Sequence, residues 1–251
     1  MLHEEEKIPF TAHLEELRSR LIKSFIAVGA GFLVCYGFKE KLFEILVHPL
    51  IKVMPEGGKL IFTGIPEAFF TYLKVSFLSG IILSSPMLLY QFWMFVAPGL
   101  YLKERKVLGP IIGISSFFFI GGALFGYFVV FPSGFKFLLG FGTDYIRTLP
   151  SMREYLNFAT KLLFIFGLLF ELPVVLTGLA WLGIISADYL KRNRKYAVLL
   201  AFVVAAFLTP DVVSMILMAI PLMILYEVSI FSARLLARRK AAAAAVAEKP
   251  N

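Results

Sequence analysis

Cysteine is almost absent from this chain. Cys35 is the one thiol in 251 residues, which excludes an internal disulfide and any cysteine-cluster metal site. Histidine is scarce too: His3, His13 and His48 are scattered, with no partner at metal-ligand spacing, so no metal is expected. There is no HExxH, no P-loop, no Gly-rich phosphate cradle and no Ser/His/Asp or Cys/His pairing at one level of the chain, which argues against an enzyme and against a cofactor. Charge is also thin, at 17% of residues against about 25% in soluble domains. The net charge of +8 does not point to nucleic acid, because the Lys and Arg residues gather at the ends of apolar runs, where membrane orientation accounts for them.

What is abundant is apolar surface. Hydrophobic residues make up 59% of the chain and 27 are phenylalanine, well beyond the usage of a soluble domain. The fold class is therefore an all-α polytopic membrane protein. The most informative run, Phe158 to Trp181, reads as a membrane helix with an acid, Glu171, near its middle. A charge at that depth costs at least about 2.5 kcal/mol, so Glu171 is expected to face protein or water, not lipid.

The N-terminal MLHEEEK is acidic where a secretory signal would be basic, so the segment is expected to stay attached. Over residues 9–21, Leu14, Leu17 and Leu21 recur at helical spacing, giving an amphipathic helix that runs into a first span of about Leu21–Phe38. Residues 39–66 turn polar, with Leu42, Phe43, Leu46 and Val47 on one face of a short interfacial helix or ordered loop. A second span, about Ala68–Val96, holds Pro86, and a third, about Val107–Phe131, holds Pro110 near its start; both prolines are expected to kink their helices. Residues 132–157 read as a polar loop and residues 186–196 as a basic one. The apolar stretch 197–233, broken by Thr-Pro-Asp at 209–211, is too long for one crossing and splits into two short helices.

Placing residues 1–23, 98–106, 186–196 and 234–251 inside gathers 16 of the 25 basic residues on the cytoplasmic side, as the positive-inside rule requires. The expectation is six helices with both termini inside: one transmembrane domain over residues 1–236, then a basic and Ala-rich disordered tail over 237–251.

Acids occur in two settings: Glu15, Glu16 and Glu104 lie among basic residues at the cytoplasmic surface, and Glu171, Asp211 and Glu227 lie at or near the membrane. Five segments then matter together: HLEELR at 13–18; SSPMLLYQFWMFVAPGLY at 84–101, with Glu104 after it; FELP at 170–173; TPDVVS at 209–214; and AIPL at 219–222. In this order, over roughly residues 10–235, the chain resembles the TatC family of the twin-arginine protein translocase.

That resemblance implies six helices in a curved, glove-like shell in the bacterial inner membrane. It implies a signal-peptide receptor and core subunit that exports folded proteins using protonmotive force. Glu16 and Glu104 resemble the acids that receive the paired arginines of a signal peptide, a match suited to the planar guanidinium fork. Arg18 is expected to order Glu16, and Phe95 resembles a position needed for transport. Glu171 resembles the acid lining the concave face. Thr209, Asp211 and Met215 fall where single-span partners of the TatA and TatB type dock, with Met215 replacing the family's usual Gln. The implied partners are those subunits, twin-arginine signal peptides, the lipid bilayer and further copies of the chain, with no nucleic acid. The alternative is an ion-coupled secondary transporter with Glu171 as its proton site, a reading that leaves the acidic cytoplasmic turns without a role.

Overall fold

An apolar segment removed from water must satisfy its backbone groups internally, and a helix does so within one stretch of chain. The structure, a computed structural model, describes residues 10–54, 60–61, 64–96, 108–140, 150–209 and 212–247. Among these, regular structure is helical apart from one isolated bridge between Ile61 and Ser151. The helices are α1 (Phe10–Gly37), α2 (Lys39–Val53), α3 (Glu67–Val96), α4 (Leu108–Phe125), α5 (Phe131–Leu139), α6 (Met152–Phe170), α7 (Leu172–Trp181), α8 (Ala187–Arg192), α9 (Arg194–Leu208) and α10 (Val212–Ala247).

Five described stretches are long and apolar enough to cross a membrane: His13–Gly37, Glu67–Val96, Gly109–Phe137, Met152–Trp181 and Val212–Arg238. The amphipathic segment at the N-terminus and the first span form one helix, α1. The expected crossing over α9 has only 15 residues, about 22 Å of rise against a hydrocarbon core of roughly 30 Å.

Three expectations are corrected. The third span does not stop at Phe131: α4 passes through a π turn at Gly126–Val130 into α5, and α6 starts at Met152, so most of the loop expected at 132–157 is helix. Pro132 allows this because it sits in the first turn of α5, where a missing amide costs least. The run around Glu171 is one span, Met152–Trp181, but not an unbroken helix, since α6 ends and α7 begins at that residue. Pro173, in the first turn of α7, has no N–H to continue the ladder of α6. Last, the tail expected to be disordered is helical as far as Ala247, in keeping with alanine's top rank as a helix former.

The most extensive helix pair joins α1 to α3, and the two cross closely. A Cβ on Gly80 would lie 2.7 Å from the Phe32 amide nitrogen, and one on Gly31 would lie 2.7 Å from the Gly80 carbonyl oxygen and strike the Ser84 hydroxyl. Small residues let the two backbones touch, and Ser84 Oγ donates to the Ala27 carbonyl at 2.8 Å across the gap. The main apolar core lies where α2, α3, α5 and α6 meet, with Leu50, Val75, Phe131, Leu156, Leu162 and Phe166 fully buried.

Proline inside a helix leaves the carbonyl four residues earlier without its amide. Pro86 is in α3, and the Ser85 hydroxyl donates to that carbonyl, Ile82 O, at 2.7 Å. Pro49 is in α2, and the carbonyl it leaves, Ile45 O, accepts from the Tyr127 hydroxyl of the π turn at 2.6 Å.

Candidate functional site

Glu16 sits in the second turn of α1. Its Oε1 accepts two bonds from Arg20, from Nε at 2.9 Å and from Nη2. Arg20 also reaches α3, where its Nη1 donates to Oε1 of the buried Gln91 at 3.4 Å. One turn closer to the N-terminus the His13 ring stacks on Phe95, centroids 4.5 Å apart and planes at 20°. The start of α1 and the end of α3 are thus tied by a polar contact and a ring stack, and the half-buried carboxylate of Glu16 lies in the seam.

The partner of Glu16 is Arg20, not Arg18. Residues four apart on a helix share a face, whereas residues two apart point in different directions. Arg18 is accordingly exposed, as is Glu15. Phe95, expected at this site, is half-buried within it. Glu104 lies outside the described residues, and so does Asp211.

Glu171 is buried, as expected, at 7% exposure. Neither carboxylate oxygen has a hydrogen-bond partner among the described residues. Ser115 of α4 is the polar group next to it; the Ser115 hydroxyl accepts from Trp93 Nε1 of α3 at 2.8 Å, which leaves its own O–H to turn toward the acid. Trp93 fits here because α7 presents Gly178, where a Cβ would meet the indole at 3.0 Å. One acid at the α6–α7 junction, one hydroxyl on α4 and one indole on α3 therefore share a buried site in which the Ser115 O–H is the nearest donor for the carboxylate.

At the far end of α9, Thr209 is buried and its hydroxyl donates to the Ala205 carbonyl at 2.9 Å, so the group serves its own helix. Met215 is half-buried on α10. Sequence reasoning passed over Arg20, Gln91, His13, Ser115 and Trp93. The Glu16/Arg20 spacing was a signal that could have been read; the contacts between helices left no local trace.

The family profile for Sec-independent protein translocase protein (TatC) matches residues 12–221. The chain belongs to the TatC family. It is 61% identical over 241 residues to the TatC of Desulforapulum autotrophicum, covering 96% of this chain and 89% of that one. It is 41% identical to the TatC of Escherichia coli strain K12, covering 92% and 90%. Its fold is similar to a crystal structure described as a twin-arginine translocase receptor, TatC, with a TM-score of 0.81, 43% identity and coverage of 90% of this chain and 99% of that one. As a TatC protein it is a component of the Sec-independent protein translocase and a multi-pass protein of the inner membrane. The match lends no support to the ion-coupled transporter alternative.

Proposed function

We propose that this TatC chain is the signal-peptide receptor of its translocase and that Glu16, together with Glu104, receives the arginine pair of a twin-arginine signal peptide. The observation that carries this reading is the way Glu16 is held. Both bonds from Arg20 fall on Oε1, so the carboxylate is oriented before any peptide arrives while Oε2 takes no bond from Arg20. A guanidinium placed there forms a charge-assisted bond that a lysine ammonium matches less well in direction. Glu104 supplies the second acid, and Phe95, stacked on His13, gives the peptide an apolar edge beside them.

In this reading the chain crosses the membrane six times with both termini inside, α9 and the start of α10 making the two shortest crossings. Single-span subunits of the TatA and TatB type dock there, around Thr209, Asp211 and Met215, and several copies of the chain assemble in one receptor complex. Glu171 lines the concave face.

The test is binding of a radiolabelled twin-arginine precursor to Glu16→Gln and Glu15→Gln chains in inverted membrane vesicles. Glu16→Gln should weaken binding of the Arg-Arg precursor by about tenfold or more and Glu15→Gln should leave it close to the wild type. Equal losses from the two variants, or wild-type binding by Glu16→Gln, would defeat the assignment.

A further inference from the structure

Arg20 meets Gln91 near the end of α3, whereas Glu67 opens that helix 24 residues earlier, about 36 Å away. At this opposite end, a cavity of about 380 Å³ lies between the first turns of α3 and α6, lined among others by Phe70, Thr71, Lys74, Arg153, Leu156 and Asn157. Its one acid is already engaged: the buried Glu67 carboxylate accepts from Arg153 N–H at 2.8 Å, Gly64 N–H at 3.1 Å and Ser151 Oγ at 3.3 Å. Its cations have no counter-charge: Lys74 and Arg153 are exposed and form no ion pair among the described residues. Lys161, exposed one turn past Asn157 on α6, adds a third positive charge below the cavity, and Glu154, exposed on α6, pairs with none of them.

Cations set one to three turns into apolar helices are costly unless an anion or water compensates them. Lys74 Nζ donates to Asn157 Oδ1 at 2.7 Å, which fixes the amide and leaves its NH2 and two ammonium hydrogens free to donate to a guest. Phe70 and Leu156 give the same cavity an apolar wall. A guest that satisfies both halves carries a compact anion with acceptor oxygens next to a hydrocarbon body.

We propose that this cavity binds the phosphodiester headgroup of an anionic phospholipid, with Lys74 and Arg153 on the phosphate oxygens, Asn157 donating to the same group and the acyl chains leaving along Phe70. The lipid then neutralises the basic end of α6 and fills the gap between the starts of α3 and α6.

The test is native mass spectrometry of the purified full chain with added phosphatidylglycerol. The variants are Lys74→Gln/Arg153→Gln, the charge-keeping swap Lys74→Arg/Arg153→Lys, and Lys191→Gln/Arg192→Gln at the basic loop as control. Circular dichroism confirms that each is folded. The wild type, the swap and the control should retain bound lipid, and the neutralised variant should lose it by about tenfold or more, as expected for removal of charge-assisted bonds. Excess inorganic phosphate tells the sources apart: failure to displace the lipid shows that the whole phospholipid is the guest, and displacement shows that the phosphate alone supplies the recognition. Equal lipid retention by the neutralised variant and the control would overturn the proposal, as would loss of lipid from both charge-keeping and neutralised variants when both are folded.

Discussion

The Tyr127 hydroxyl donates to the carbonyl of Ile45, the acceptor that Pro49 leaves without an amide four residues further along α2. A proline in the interfacial helix and a tyrosine in the π turn of the third span are therefore two halves of one arrangement. Tyr155 donates to the neighbouring carbonyl, Leu46 O, and so tethers the same turn of α2 to α6.

Removing the hydroxyl should accordingly loosen α2. Tyr127→Phe keeps the ring and should destabilise the protein by about 0.5–1.5 kcal/mol, the usual net worth of such a bond. Adding Pro49→Ala, which restores the backbone amide that Ile45 O lacks, should abolish most of that penalty. Thermal melts by circular dichroism on the two single variants and the double variant check the coupling.

The α1–α3 crossing should tolerate nothing larger than glycine. Gly80→Ala and Gly31→Ala each place a methyl group against backbone and should cost about 1–3 kcal/mol. Gly29→Ala and Gly121→Ala, whose Cβ positions meet nothing within 4 Å, should be close to neutral or slightly stabilising by helix propensity. Comparing the melting temperatures of the four variants decides it.

Arg20 should matter more than Arg18 for precursor binding. Arg20→Gln removes both bonds to Glu16 and the reach to Gln91, and should weaken binding of a twin-arginine precursor by about tenfold. Arg18→Gln should change it much less. Binding titrations in detergent with each variant give the answer, and a larger loss from Arg18→Gln would mean that the exposed charge meets the peptide directly.

Glu171→Gln should fold and insert as well as the wild type or better, since the acid it replaces is buried and a neutral amide is cheaper to bury than a carboxylate. Glu171→Lys should impair assembly or transport by bringing a bulky cation beside Ser115 and Trp93. Transport of a precursor into vesicles, read beside membrane-inserted yield, separates the two. Wild-type transport by both variants would show that the acid has no working role.

Topology is open to labelling. In a Cys35→Ser background, a cysteine at Asp188 should react only from the cytoplasmic side and one at Lys136 only from the outer side. Reaction of position 188 from outside would rule out six crossings.

The sequence made the apolar spans legible because burial in lipid writes itself into every residue of a run, and it made Glu171 legible because a lone acid in such a run has few explanations. The protein interior that Glu171 meets was a different matter. Ser115 and Trp93 come from two other helices, and nothing within their own segments marks them as neighbours. Arg18 was chosen over Arg20 on motif membership, although helical spacing favoured Arg20. The extension past Phe131 was hidden by Pro132, which reads as a terminator unless the turn before it is known to be wide. The 15-residue α9 was separated from α10 by the length of the apolar run and its Thr-Pro-Asp break, with charge placement supporting an even number of crossings; none of these cues says whether so short a helix crosses.

The indole that donates to Ser115 has one further consequence. The chain contains only two tryptophans, Trp93 and Trp181, so replacing Trp181 with phenylalanine leaves a single native fluorophore seated beside Glu171. Its emission colour and quenching would register water entry at the buried acid as a precursor is engaged, with no dye attached and no new side chain placed in the site.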